Sequence, residues 1–321
     1  MSEFAHESNS SKVDQRHLFD RFVRIPSNAY ACESAISLLQ GMSRFVLFSG
    51  PSGWGKSHLL RNLAQVLSER LGETVPIHRG ESWILKPERA DSPAPLLLEH
   101  VQIIGASPRV RQRLRLILER RIRGGKPTVL THTQERGGRF LPLLLPGGSH
   151  WRQATLKTPT LAERVVMVHQ MSLNSDLRLP PHLVSFVARR AGRTGTSISS
   201  ALQRLQLVSP DWHEPHMALR AAGILGPILG EEGGWDVRDH IFESLQPPLS
   251  ALATTAREEF AIYMMLEVHA LSEDQVACYF GRTSGQVYRI AKKVAGKVAS
   301  GEYAPLQREC SDRLLDSFFA S

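Results

Sequence analysis

The chain has 321 residues, 42% hydrophobic and 22% charged, which are globular proportions and exclude a wholly disordered or collagen-like polymer. At roughly 100–200 residues per domain this is about two or three domains; no apolar run approaches the ~18 residues that span a bilayer, and the opening MSEFAHESNSSKVDQRH lacks the apolar segment of a secretory signal. Cys32, Cys278 and Cys310 are odd in number and dispersed, which argues against a disulfide framework or a zinc cluster and fits a reducing cytoplasm. The net charge is 39 − 31 = +8; residues 103–140 alone carry ten Lys/Arg against two Asp/Glu, so that stretch holds the whole surplus. Concentrated positive charge attracts polyanions, above all nucleic acid; a solvated helix face is the other reading of this stretch.

In chain order, residues 1–17 are polar and aperiodic and read as a tail. From 18 to 157, short apolar runs (45–50, 74–78, 95–100, 127–132) alternate with helical patterns (28–41, 56–71, 107–124). Such alternation predicts an α/β domain with a parallel sheet covered on both faces. Residues 158–210 are helical in pattern. Gly and Pro punctuate 211–248, a linker or hinge, and 249–321 read as an all-α C-terminal domain.

Gly50-Pro51-Ser52-Gly53-Trp54-Gly55-Lys56-Ser57 matches G-x-x-x-x-G-K-[ST] between an expected strand and an expected helix. Gly50, Gly53 and Gly55 let backbone N–H groups wrap phosphate oxygens. The helix N-terminus adds positive partial charge. Lys56 reaches the β and γ phosphates of ATP, and the Ser57 hydroxyl ligates Mg²⁺. Trp54 either stacks near the nucleotide or packs on neighbouring protein. The apolar run PLLLEH ends in Glu99-His100, where a second acid would be usual. Glu99 can hold a magnesium-bound water; His100 is a poor polariser of an attacking water. The expectation is binding of ATP or ADP with weak or absent hydrolysis.

Ser272 with Gln275 three residues on is a capping-box start. Gly281 sits at a tight turn, and Thr283 or Ser284 caps the next helix. Val287, Ile290, Ala291 and Val294 give that helix a buried stripe. This is the spacing of a helix-turn-helix. On that reading Ser284, Gln286 and Arg289 meet bases, Arg282, Lys292 and Lys293 meet phosphates, and Thr283 caps the helix beside them. A cationic helical hairpin also serves for docking protein. The histidines form no credible metal pair.

These residues resemble the DnaA family of bacterial replication initiators, AAA+ P-loop ATPases that include the Hda regulators. Phe19–Val23 with Ile25–Asn28 is similar to the family's leading segment near the adenine, and GPSGWGKSHLL to its phosphate loop. LLLEHVQII is similar to its magnesium strand, with Glu99 and His100 on its two aspartates. Val129–Thr133 is similar to the strand carrying the first sensor, at Thr133. Thr158–Arg164 resembles the start of the helical lid, and 256–294 the DNA-binding domain.

The resemblance implies an AAA+ sheet domain with a helical lid, followed by a helix-turn-helix domain. It also implies a nucleotide seated between sheet domain and lid, duplex DNA as partner, contacts with initiator or helicase proteins, self-assembly, and a nucleoid-associated place in the cytoplasm.

The departures are specific. The family's arginine-finger element falls near Pro146-Gly147-Gly148, without an arginine. The lid's sensor arginine falls at Thr196, with Arg193 close by. Arg282-Thr283-Ser284-Gly285 replaces the signature that reads the initiator box, the segment from Val75 to Leu96 is short for the extra strand-gripping helices, and no helicase-docking domain precedes the sheet. Three functions remain in view: a nucleotide- and DNA-binding protein of replication initiation or its control, an active ATPase or helicase loader, and a sequence-specific transcription regulator with a vestigial nucleotide fold.

Overall fold

The computed structural model describes residues 19, 22–85, 92–105, 107–134, 145–191, 194–209, 211–212, 217–225 and 236–319. The expected tail lies outside the described residues. The chain divides into two compact units, Met1–Glu163 and Arg164–Ser321.

The first unit is built on five parallel strands: β1 (Phe45–Gly50), β2 (Ile77–Arg79), β3 (Leu96–Glu99), β4 (Thr128–Thr133) and β5 (Arg152–Thr155), in the order β2-β3-β4-β1-β5. The helices are α1 (Ala29–Leu39), α2 (Lys56–Leu71), the short α3 (Gly80–Leu85) and α4 (Val101–Gly105), and α5 (Pro108–Arg123). Side chains of β1 alternate between two cores. Val46 and Phe48 join Leu38, Leu59 and Leu63 from α1 and α2; Phe45 and Leu47 join Leu114 and Leu118 of α5 and Trp151. β1 and β3 are buried along their whole length, the mark of a parallel sheet covered on both faces.

Pro108 opens α5 and Arg120, Arg121 and Arg123 close it, each matched to the helix dipole. Arg121 is 1% exposed. Its guanidinium donates to Thr128 Oγ1 (2.9 Å) and to the carbonyls of Ser92 (3.3 Å), Ala94 (2.7 Å) and Pro127 (2.9 Å). One cation therefore ties the approaches to β3 and β4 to the last turn of α5.

The second unit is all helical. It takes the body of α6 (Leu161–Leu173), then α7 (Pro181–Arg190), α8 (Gly195–Val208), α9 (217–225) and α10 (Val237–Leu245). After these come α11 (Thr254–Tyr263) running into a π-helical turn, α12 (Glu273–Phe280), α13 (Ser284–Ala299) and α14 (Ala304–Phe319). One core runs through them, including Val168, Phe186, Leu202, Trp212, Leu219, Phe260, Val276, Val287 and Phe318. Within 211–248, read from sequence as a linker, α9 and α10 place Leu219, Ala222 and Ile241 in that core. The apolar residues that make these helices stick are spaced between Gly and Pro, which hid the helical period.

Candidate functional site

The loop after β1 takes backbone conformations that only glycine holds without strain. Gly50 has φ 145°, and a Cβ there would stand 2.3 Å from the carbonyl oxygen of Leu156. Gly55 has φ 95°, and a Cβ would stand 2.9 Å from the Phe22 ring. Gly53 is also left-handed, at φ 78°. The loop delivers Lys56 and Ser57 to the first turn of α2, where unpaired backbone N–H groups and the helix dipole favour an anion.

Lys56 is buried, and its ammonium donates to the carbonyls of Gly50 (2.9 Å) and Pro51 (2.6 Å). Burial pushes its pKa down to about 8 against the pull of Glu99. Burial outweighs the nearby carboxylate, so the cation is short of counter-charge; a phosphate supplies it. Ser57 is half-buried beside it, and Trp54 is buried.

Three other strand ends lie along the same edge of the sheet. Thr133, on β4, pairs in register with Gly50, and its N–H donates to Gln102 Oε1 at 3.1 Å. Glu99 ends β3 and is buried. Arg79, paired across from it on β2, brings Nε to 3.9 Å from Glu99 Oε2. His100 follows in the left-handed region, φ 57°, a conformation that strains a non-glycine residue by about 1 kcal/mol or more. Its N–H donates to Thr131 Oγ1 at 3.1 Å, and its ring lies between Glu99 (Nε2–Oε1 3.9 Å) and Glu81 (Nδ1–Oε1 3.8 Å). Gly80 closes this corner: a Cβ on it would come 2.6 Å from the His100 carbonyl oxygen. Glu99, His100 and Thr133 are thus brought to the carboxyl edge of the sheet with the phosphate loop, the usual ligand side of an open parallel sheet.

Asn28 is differently employed. Its carboxamide accepts from Ile25 N (3.0 Å) and donates to the Val23 carbonyl (2.9 Å). Both ends of the group shape the leading segment, so Asn28 positions backbone beside the loop. Next to it, Ser27 is held by Glu163, which also accepts from Thr160 N. Arg193 lies outside the described residues. The turn at Gly147 and Gly148 brings no arginine to the site.

In the second unit α12 and α13 form a hairpin about Gly281, which is left-handed at φ 61°. Both helices begin with capping boxes, Ser272 with Gln275 and Thr283 with Gln286. Arg282 is paired with Glu258 of α11 at 2.6 Å, and Lys293 with Glu259 at 2.8 Å. Ser284 Oγ donates to Asp274 at 2.6 Å. Arg289 and Lys292 are exposed, and between the buried stripe and these cations stands Tyr288, 52% exposed.

Sequence reasoning passed over Arg79, Glu81 and Tyr288. The signals were present: an arginine closing an edge strand, an acid one residue into the next helix, and an aromatic among cations. On α5, Arg109, Arg113, Arg120 and Arg123 are exposed at helical spacing on one stripe, while Arg121 is internal.

No protein-family model matches the sequence. The chain is 21% identical over 324 aligned positions to the chromosomal replication initiator protein DnaA of Mycobacteroides abscessus, covering 91% of this chain and 66% of that protein's length. Its fold is similar to AMPPCP-bound DnaA from Aquifex aeolicus, with a TM-score of 0.54 at 13% identity over 93% of this chain and 97% of that one. It is also similar to domain III of the Thermotoga maritima replication initiation protein DnaA, with a TM-score of 0.52 at 20% identity, covering 60% of this chain and 88% of that one. No helix among the described residues is long and apolar enough to cross a membrane. The chain is thus similar in sequence to a DnaA initiator, and the solved DnaA structures share its fold.

Proposed function

We propose that this protein binds ATP or ADP in the loop of Gly50–Ser57, hydrolyses it slowly or not at all, and binds duplex DNA through α12 and α13 in replication initiation or its control. The observation that carries the nucleotide reading is Lys56: a buried ammonium at the mouth of a glycine loop, hydrogen-bonded to the carbonyls of Gly50 and Pro51 and held below its ordinary pKa by burial. A phosphate entering there gains a charge-assisted bond and relieves the cation's desolvation.

Mg²⁺ fits the donors at hand. Ser57 supplies a hydroxyl and Glu99 a carboxylate; among the described residues no group of three or more His, Cys, Asp or Glu could hold an ion alone. Such an ion would take its remaining oxygens from phosphate and water. Weak turnover follows from His100. Its backbone is left-handed and its ring stands between two acids, so β3 offers one carboxylate where polarising an attacking water uses a pair.

The resemblance to initiators supports the DNA reading, with duplex DNA, initiator or helicase proteins and further copies of this chain as partners in a nucleoid-associated, cytoplasmic role. The nucleotide then acts as a ligand that shifts DNA affinity, which requires that it bind two states unequally. Titration of labelled duplex with the full chain, without nucleotide and with saturating ATP or ADP, tests this. Affinity that changes with nucleotide supports the switch; equal affinity in all three conditions favours a DNA-binding regulator whose nucleotide site is uncoupled.

A further inference from the structure

Resting on the reading of the α12–α13 hairpin as a duplex-DNA binder, we propose that its base-reading face is Tyr288, Arg289 and Lys292: of the base contacts that helix-turn-helix spacing suggests, Arg289 alone stays, and the face moves one turn along α13. Arg282, Thr283, Ser284 and Gln286 are instead positioning residues.

The first-turn groups are already spent. Thr283 N donates to Gln286 Oε1 at 2.9 Å, and Gln286 N to Thr283 Oγ1 at 3.3 Å. Gln286 reads adenine by using its oxygen and its amine together, and that oxygen is closing the helix's own cap. Ser284 Oγ ties α13 back to Asp274 on α12. Arg282 puts Nε and Nη2 on Glu258 Oε1, at 2.9 and 2.6 Å, which fixes the turn to α11. Using any of these on a base means first breaking a bond that sets the hairpin's geometry.

The next turn is free for use. Arg289 donates Nε to the Gly285 carbonyl of its own helix at 3.1 Å, and among the described residues its Nη groups have no hydrogen-bond partner. Lys292 is exposed and makes no hydrogen bond or ion pair among the described residues. Tyr288 presents half its surface on the same side. Gly285, one turn earlier, has open space where a Cβ would be, and its backbone does not require glycine. At Gly285, then, no side chain shields Arg289 one turn along.

The chemistry names the ligand class. An arginine fork matches guanine O6 and N7 in the major groove, an aromatic ring packs on a thymine methyl, and a lysine meets phosphate or guanine. The site is a duplex containing guanine opposite Arg289.

The test is selection of sites from a randomised duplex pool by the full chain, followed by affinity for the selected site and each single-base change. Variants are Tyr288→Ala, Arg289→Ala, Ser284→Ala and Gln286→Ala, with thermal unfolding as the check on folding. The expected result is loss of roughly ten-fold or more for Arg289→Ala on the selected site, with preference abolished at one guanine. Ser284→Ala and Gln286→Ala then keep the selected sequence, whatever they cost in stability. A changed base preference in Ser284→Ala or Gln286→Ala, with Arg289→Ala weakening all sequences equally, overturns the proposal. If the wild-type chain binds no duplex, or selects no sequence, the reading beneath it fails first.

Discussion

The backbone N–H and hydroxyl of Ser27 donate to the two carboxylate oxygens of Glu163, at 2.7 and 2.8 Å, across 136 residues of sequence. Glu163 also accepts from Thr160 N at 2.7 Å, at the start of α6. The leading segment beside the phosphate loop is thereby clamped to the end of the first unit.

Burial opposes ionisation of Glu163, but bonds from Thr160 and Ser27 outweigh it and hold the carboxyl at about 2. A depressed folded pKa stabilises above the ordinary value of 4.5 and is lost as pH falls toward 2. Glu163→Ala is expected to destabilise by about 1–2 kcal/mol at neutral pH, from lost bonds to a charged group, with a smaller difference near pH 2. Chemical denaturation at both pH values measures this; an equal difference at both contradicts it.

Lys56 sets the pH range of nucleotide binding. With its pKa near 8 in the free protein, the amine loses its proton above that value, and phosphate must restore it. Affinity for ATP is expected to fall as pH rises through about 8. Calorimetric titration at pH 7 and 9 reads it as lower affinity and proton uptake at the higher pH. Lys56→Ala is expected to abolish binding at both.

The arginines of α5 divide by place. Arg121→Ala removes the donor that the Ala94 carbonyl and the Thr128 hydroxyl share, while the Pro127 carbonyl keeps Leu96 N. A cost of about 2–4 kcal/mol follows. Arg113→Ala, on the exposed stripe, is expected to stay within about 0.5 kcal/mol of wild type. Equilibrium unfolding of the two variants distinguishes the internal tie from surface charge.

His269 makes the second unit sensitive to acid. Burial pushes its pKa down to about 3, although Nδ1 meets the Leu219 carbonyl at 3.0 Å. Folded neutral and unfolded ordinary, it stabilises above pH 6.5 and loses that contribution as pH falls toward 3. Burial shifts His240 and His182 in the same direction. Stability should fall below pH 6.5 at up to ~1.4 kcal/mol per pH unit from His269. His269→Gln is expected to flatten that slope; an unchanged slope contradicts the assignment.

The central strands and phosphate loop were legible because burial on both faces forces continuous apolar runs, and left-handed turns force glycine. β5 was not, since Arg152–Thr155 is a short edge strand with only Ala154 buried. Glu99 and His100 stood out in the sequence at the end of an apolar run, and Thr133 through the resemblance. Arg79 was not, because its relation to Glu99 comes from strand register. Residue types alone placed Ser284 and Gln286 on DNA; hydrogen bonds to Asp274 and Thr283 show where those side chains are used. The internal role of Arg121 was hidden among arginines of the same helix.

The central claim is a nucleotide site that holds its ligand without turning it over. Its most direct test is labelled ATP and ADP binding by the full chain, with phosphate release followed in the same samples, with and without duplex DNA. Saturable binding, lost in Lys56→Ala, is expected, with phosphate release slow or at the uncatalysed background and not raised by duplex DNA. Turnover that duplex DNA accelerates contradicts it and makes Glu99, with His100, a working catalytic edge.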